Sequence, residues 1–147
     1  MEINSIFNEN WLVKLGANCP YFSEICLWRS LAYSKNYTVV VVDAEKFMEC
    51  WQRHFSFLAP VDKWEKDIAD GIRSYLQSAR PVMARPLIET RPEKRMIRFL
   101  APVEEAVIQF VNGRHRTRYM YDAGAKSFPV EVPVRQVELF RHYCVSP

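Results

Sequence analysis

One segment, residues 107–134, restricts the fold more than any other part of the chain because its periodicity changes twice. The run Ala106-Val-Ile-Gln-Phe-Val is short and apolar, as in a buried strand, and Asn112-Gly113 follows it directly. The apolar residues that come next repeat with helical spacing up to Gly124, a residue suited to end a helix. An extended pattern resumes at Phe128-Pro-Val-Glu-Val-Pro-Val. This order of strand, tight turn, helix and strand predicts an α+β fold.

The rest of the chain adds helices and strands to this unit. A length of 147 residues suits one domain, with a core over 37–140 and an N-terminal extension of uncertain structure over 1–36. We expect a single compact α+β domain in which helices flank a small mixed β-sheet. The other predicted elements are a short strand over 11–15, a helix over 23–33 capped by Ser23, a strand buried on both faces over 37–42, a helix over 44–55 capped by Asp43, a helix over 68–79 capped by Asp62, strands over 81–89 and 96–100, and a terminal element from Val137.

Several classes of protein are disfavoured by what the sequence lacks. Its four cysteines form no C-x-x-C pair and have no paired histidines nearby, so no metal site is predicted. No apolar run approaches the ~18–20 residues that cross a bilayer. The N-terminus lacks the basic-then-apolar pattern of a secretion signal. We therefore expect a cytoplasmic protein without membrane insertion.

The arginines are concentrated in one part of the chain. The formal net charge is only +3, but eight arginines lie between residues 80 and 118. Guanidinium groups suit bidentate contact with phosphate or carboxylate, which favours an anion-facing surface. The alternative is a solvated face whose arginines are balanced by neighbouring glutamates. Composition does not decide between the two.

The turn from Asn112 to Arg118 is the strongest candidate for a site. It lies where a strand leads into a helix, and the first turn of a helix has free N–H groups that attract anions. Gly113 permits close backbone approach, and His115 can bind phosphate or act as an acid or base. A purely structural interpretation also stands, in which Asn112 caps the helix and the arginines pair with nearby carboxylates.

The same turn resembles a known segment. Gly113-Arg-His-Arg, between a strand and a helix, is similar to the Gly-x-His-Arg segment of the ParB/sulfiredoxin superfamily, which opens a helix and holds nucleotide phosphates. Ala84-Arg-Pro-Leu-Ile-Glu resembles the extended segment that faces this helix. The resemblance implies a ParB/sulfiredoxin-like core that needs no cofactor but has a site for phosphate or nucleotide. The residues implied for that site are Asn112, Gly113, Arg114, His115 and Arg116.

A longer string narrows the resemblance to one family. Phe110-Val-Asn-Gly-Arg-His-Arg-Thr-Arg-Tyr, followed by Asp122-Ala-Gly-Ala, resembles the plasmid fertility inhibition factors. Arg114 stands where sulfiredoxins have their reactive cysteine, which makes sulfinic acid repair unexpected. The chain ends at Pro147, so we expect no helix-turn-helix DNA-binding domain of the kind that partitioning proteins carry.

The family implies an interaction protein rather than an enzyme. We expect it to act in a bacterial donor cell, recruited to the inner-membrane secretion apparatus, where it blocks conjugative DNA transfer by binding the coupling ATPase of type IV secretion. Candidates for contact with the partner or an anion are Arg85, Arg95, Arg98 and Arg118.

Two other functions remain open at the level of sequence. The first is a ParB-like nucleotide hydrolase or DNA nuclease, for which Glu89 and His115 are the candidate catalytic residues. The second is nonspecific nucleic-acid binding through the arginines between residues 80 and 118. Neither a metal nor a base is clearly marked, so we expect little or no turnover.

Overall fold

The computed structural model describes residues 9–30, 35–93 and 103–147 of the chain. Within these ranges, helices and strands are interleaved along the sequence. The strands are β1 (Asn10–Lys14), β2 (Glu24–Trp28), β3 (Tyr37–Asp43), β4 (Arg85–Pro92), β5 (Glu104–Asn112) and β6 (Ser127–Pro133). The helices are α1 (Ala44–Gln52), α2 (Lys66–Leu76), α3 (Arg114–Asp122) and α4 (Val137–Cys144).

The described strands form three antiparallel pairs, β1 with β2, β3 with β6, and β4 with β5. A parallel bridge between Trp28 and Val82 joins the end of β2 to the approach to β4. The N–H of Glu131 in β6 donates to the carbonyl of Ala84 at 2.9 Å, just before β4 begins. The predicted α+β class is confirmed, with small antiparallel pairs and one parallel bridge in place of a continuous sheet.

Aromatic side chains of α1 fix the end of β5, from which the candidate site begins. Phe47 and Trp51 are fully buried. The Phe47 ring lies edge-on to Phe128 with centroids 5.4 Å apart, and Trp51 lies edge-on to Phe110 at 4.8 Å. Because Phe110 is two residues before Asn112, this packing sets the position of the turn that follows.

Local signals in the sequence predicted most of these elements. The strand–turn–helix–strand order of residues 107–134 is confirmed by β5, α3 and β6. Asp43 caps α1 as expected, since its carboxylate accepts the N–H of Lys46 at 3.1 Å. Gly124 follows α3 with φ of 100°, the left-handed conformation typical of a glycine after a helix.

The predicted helix over 23–33 is wrong in the part that the structure describes, where β2 occupies residues 24–28. Ile25 and Leu27 are buried, whereas Glu24 is exposed and Cys26 and Trp28 are half-buried, so burial alternates with the period of a strand. Pairing with β1 therefore outweighed the helical spacing that Phe22, Ile25 and Cys26 also show.

Three further predictions need correction or lie outside the described residues. The strand over 37–42 is buried on one face only, since Val40 and Val42 are buried whereas Val41 between them is 46% exposed. Asp62 lies in a short 3₁₀ turn, and α2 begins after Glu65 with no side-chain cap. The predicted strand over 96–100 falls outside the described residues. None of the described helices has the length and apolar character needed to cross a membrane.

Candidate anion-binding site

Gly113 is the conformational pivot of the turn between β5 and α3. Its φ is 93°, a left-handed conformation that other residues rarely adopt. A Cβ atom at this position would lie 2.5 Å from the Cβ of Ala84 and 2.7 Å from its Cα. Only glycine therefore allows the turn to pack directly against the residues that lead into β4. Ala84, the first residue of the Ala84–Glu89 segment, is therefore adjacent to this turn.

The first turn of α3 has no side-chain cap. The carbonyl of Gly113 accepts the backbone N–H of Thr117 at 3.0 Å and its hydroxyl at 2.9 Å. Asn112 does not cap the helix, because its side-chain oxygen accepts Nη2 of Arg116 at 3.2 Å instead. The N–H groups at the start of α3 are thus left to solvent or to a ligand, at the positive end of the helix dipole.

A cavity of about 280 Å³ opens beside this turn. It is lined by Ile72 of α2 and by residues 110–116. Small-molecule sites usually enclose about 300–1,000 Å³, so this cavity lies at the lower end of that range and has room for a phosphate or carboxylate group.

Arg116 is the least satisfied charged residue of the turn. Its Nε is buried and has no hydrogen-bond partner within the described parts of the chain, and its guanidinium lies 5.5 Å from the Tyr75 ring centroid. Burial lowers the pKa of Arg116 from its ordinary value, although an arginine remains charged at any physiological pH. An anion beside Nε would relieve this cost of burial.

His115 lies next to Arg116 with its ring edge-on to Trp64, the centroids 5.1 Å apart. The Trp64 indole is held in place by a hydrogen bond from Nε1 to the carbonyl of Ala59 at 2.8 Å. Burial, and to a lesser degree the charge of Arg114, lower the pKa of His115 below its ordinary value. The ring is therefore neutral at pH 7 and able to donate one hydrogen bond, and a bound anion would raise its pKa.

Arg85 is opposite Asn112 in the β4–β5 pair, but its guanidinium joins a buried cluster. Its Nε donates to the carboxylate of Glu131 at 2.7 Å, and Nε of Arg29 donates to the other carboxylate oxygen at 2.9 Å. Glu131 is completely buried. Arg85 is thus committed to an ion pair beside the turn rather than presented as a free cation.

The other predicted contact residues lie in different surroundings. Arg118 pairs with Asp122 at 3.2 Å, as the structural interpretation of the turn expected for this residue. Arg114 is exposed at the first position of α3. Arg95 and Arg98 lie outside the described residues.

The structure does not bring Glu89 and His115 together. Glu89 is exposed on β4 opposite Val107, five residues before Asn112 on β5. At about 3.4 Å per residue along a strand, Glu89 is roughly 17 Å from the turn. Among the described residues, no group of three or more histidine, cysteine or acidic side chains is placed to hold a metal ion.

Sequence reasoning missed the walls of the cavity and the buried carboxylate beside it. Ile72 and Tyr75 belong to the apolar stripe of α2, which predicted a helix but not its position against the turn. Trp64 packs against the core as a partly buried side chain and also contacts the ring of His115. Glu131 had one available signal, since a single carboxylate within an otherwise apolar strand needs a cationic partner when buried.

Comparison with known proteins places this architecture in a family. No curated sequence matches the chain. Among solved structures, the oncogenic suppression activity protein, a plasmid fertility inhibition factor crystallised as its gold(I) cyanide derivative, superposes with a TM-score of 0.67. The match covers 94% of this chain and 71% of that one at 10% sequence identity, which establishes a shared fold.

A family model gives the assignment directly. The model for plasmid fertility inhibition factors matches residues 39–145, which is well over half of the chain and includes the whole turn from Asn112 to Arg116. The chain therefore belongs to the plasmid fertility inhibition factor family.

Proposed function

We propose that this protein blocks conjugative DNA transfer from its donor cell by binding the coupling ATPase that feeds DNA to a type IV secretion channel. The observation that carries the proposal is the family match over residues 39–145. An inhibitor of this kind needs a stable domain and one complementary face, since a standard interface buries about 800 Å² on each partner.

We place the contact face around the start of α3. Arg114 is exposed there, and its neighbour Val111 is 56% exposed on β5. Ile72 lines the same cavity, and Ile68, one turn earlier on α2, is 42% exposed. A cationic group set among apolar side chains supports protein binding, because arginine anchors are enriched where interfaces exclude water.

We propose that the turn also receives an anionic group at the first N–H groups of α3, beside Nε of Arg116. The uncapped helix start and the buried, unpartnered Nε support this role. The cavity of about 280 Å³ has room for one phosphate or one carboxylate, which the partner or a nucleotide bound by the partner would supply.

A hydrolase or nuclease gains less support from the geometry. Its two candidate residues, Glu89 and His115, belong to different ends of the β4–β5 pair. If turnover did occur at the turn, it would be expected to depend on His115 and Arg116 and not on Glu89. Loss of activity in both Glu89→Ala and His115→Ala would restore the enzyme hypothesis.

The test combines conjugation with binding. Donor cells carrying a susceptible plasmid are mated with and without this protein, and purified coupling ATPase is tested for binding to it. We expect the protein to lower transfer and to bind, and Arg114→Glu to weaken binding by about tenfold or more and restore transfer, in line with charge effects at interfaces. Lys66→Glu is the matched control, since Lys66 is 89% exposed on α2.

Two outcomes would contradict the proposal. Unchanged transfer across several plasmid groups, with no binding of the ATPase, would remove its basis. Inhibition that persists when ATPase binding is abolished would indicate nucleic acid as the target. The slope of log affinity against log salt concentration should then be about −0.9 for each phosphate that the protein neutralises.

A further inference from the structure

The pair formed by β3 and β6 has two edges, and the edge along β6 is closed. Pro129 and Pro133 on β6 have no N–H to offer. The N–H of Glu131, between them, donates to the carbonyl of Ala84 at 2.9 Å, away from β3. At these three positions, within the described chain, β6 therefore has no free N–H to donate to another strand.

The register shows which groups of β3 point to the opposite edge. Val39 lies opposite Glu131, whose N–H is directed away from β3. Hydrogen-bonded and non-hydrogen-bonded pairs alternate along an antiparallel ladder, so Tyr37, Val39 and Val41 all direct their N–H and C=O groups away from β6. The carbonyl of Tyr37 is satisfied there, because it accepts Nη2 of Arg29 at 2.8 Å.

The outward backbone groups of Val39 and Val41 form an unpaired stretch of the β3 edge. Within the part of the chain that the structure describes, no hydrogen bond satisfies their outward N–H and C=O groups, and no other strand pairs with β3 there. The Val41 side chain is 46% exposed. Proteins usually protect such an edge with proline, charge or a bulge, and residues 38–42 contain none of these.

A groove runs between this open edge and the end of α4. Its volume is about 600 Å³, and it is lined by Val39, Val40, Val41, Lys46, Arg141, His142 and residues 145–147. The charged side chains among these are cationic. Arg141 is 62% exposed and pairs with Glu138 at 3.3 Å, an exposed contact that competes weakly with a bound ligand.

We propose that the β3 edge binds an extended, acidic segment of a partner protein as an added strand. The segment would exchange backbone hydrogen bonds with Val39 and Val41, and its carboxylates would face Lys46 and Arg141. The groove shares no lining residue with the cavity at Gly113. The proposal therefore does not depend on the coupling ATPase being the target of the turn.

A second copy of this chain is the other occupant to consider. Two copies joined edge to edge through β3 would place the same cations, Lys46 and Arg141, close to their equivalents. Like charges at an interface disfavour that pairing, whereas an acidic segment is complementary.

The probe for the test is a short acetylated and amidated peptide of alternating glutamate and valine. Added to ¹⁵N-labelled protein, it should shift the Val39 and Val41 amide signals saturably and slow their hydrogen exchange about tenfold or more, as expected when strand pairing protects an amide. The same peptide with N-methyl groups on its edge-facing nitrogens should show at least a tenfold loss of affinity, because it cannot donate the backbone bonds.

The contribution of the cationic side chains to peptide binding is tested with variants of the protein. The double variant Lys46→Glu and Arg141→Glu should lower the affinity for the glutamate peptide about tenfold or more at low salt. Lys66→Glu should leave this affinity unchanged. Lys46 is in the first turn of α1, where a glutamate favours the helix dipole, so the variant is expected to fold. Unaffected Val39 and Val41 amides, equal affinity for the N-methylated peptide, or self-association of the protein through β3 would each overturn the proposal.

Discussion

Two arginine clusters lie on either side of Ala84, and they are satisfied very differently. On one side, Arg29 and Arg85 share the fully buried carboxylate of Glu131 at 2.9 and 2.7 Å. On the other, Arg116 has only the amide oxygen of Asn112 at 3.2 Å, and its Nε has no partner in the described chain. Both guanidinium groups of the first cluster have a carboxylate partner, although Nη2 of Arg85 is buried without a hydrogen-bond partner in the described chain, whereas Arg116 in the second cluster has no carboxylate partner there. This difference separates arginines that hold the fold from those that can serve a partner.

The largest effect should come from the complete cluster. Glu131→Ala leaves the largely buried Arg85 without a carboxylate and Arg29 with only the more exposed Glu9, and we expect the free energy of unfolding to fall by about 3–5 kcal/mol. Urea denaturation measures this change. The control is Glu89→Ala on the neighbouring strand, an exposed position where about 0.5 kcal/mol or less is expected. Similar values for both variants would mean that the buried cluster does not stabilise the fold.

Substitution of Gly113, in the turn that carries the second cluster, should lower the free energy of unfolding almost as much, but for a steric reason. In Gly113→Ala the new Cβ meets Ala84 at 2.5 Å and the φ of 93° becomes strained. We expect a loss of about 2–3 kcal/mol in unfolding free energy. Gly71→Ala in α2, where a Cβ would meet nothing within 4 Å, should instead stabilise the protein by about 0.5–1 kcal/mol. Equal effects at both glycines would show that the turn is not packed against Ala84.

Arg116 offers the sharpest contrast with Arg85. Arg116→Met removes a desolvated cation that has no carboxylate partner, so unfolding free energy should stay level or rise by up to about 1 kcal/mol. Arg85→Met should lower it by about 3 kcal/mol or more, because Glu131 then loses one of its two partners. Chemical denaturation of the two variants side by side measures the contrast. A marked loss of stability in Arg116→Met would make that arginine structural and break the comparison.

The smallest expected effect is on pH dependence at the turn. The pKa of His115 is lowered in the folded protein, so the unfolded chain binds more protons and this contribution to stability is present above pH 6.5 and declines as the pH falls through it. His115→Gln should remove that small slope. In an NMR titration, Arg114→Gln should raise the pKa of His115, and so should added phosphate. A His115 pKa that does not respond to either change would exclude electrostatic contact with the turn.

The sequence predicted the turn because its signals are local. Asn112-Gly113 and Gly124 mark the two ends of α3 without reference to any other part of the chain. The structure of residues 24–28 depends instead on pairing with β1, which helical spacing within the segment could not reveal. Pairing with β1 therefore determined the structure of a segment whose local pattern favoured a helix.

The difference between the two arginine clusters also lies beyond local sequence. Arg29 is 102 residues from Glu131, and Arg85 is 46 residues from it. A count of arginines between residues 80 and 118 therefore treats Arg85 and Arg116 alike, although Arg85 has a carboxylate partner and Arg116 has none in the described chain. Likewise, only tertiary packing brings Ile72 of α2 to the cavity and the Tyr75 ring to within 5.5 Å of the Arg116 guanidinium.

The central claim, that Arg116 rather than Arg85 is available to an anion, can be tested in one experiment. The Nε–Hε signals of both arginines are followed in one spectrum while inorganic phosphate is titrated into the protein at constant ionic strength. We predict a saturable shift of the Arg116 signal and an unchanged Arg85 signal, since Glu131 already accepts the Arg85 Nε–H at 2.7 Å. An Arg116 signal that does not move, or moves only in parallel with that of Arg85, would contradict the account.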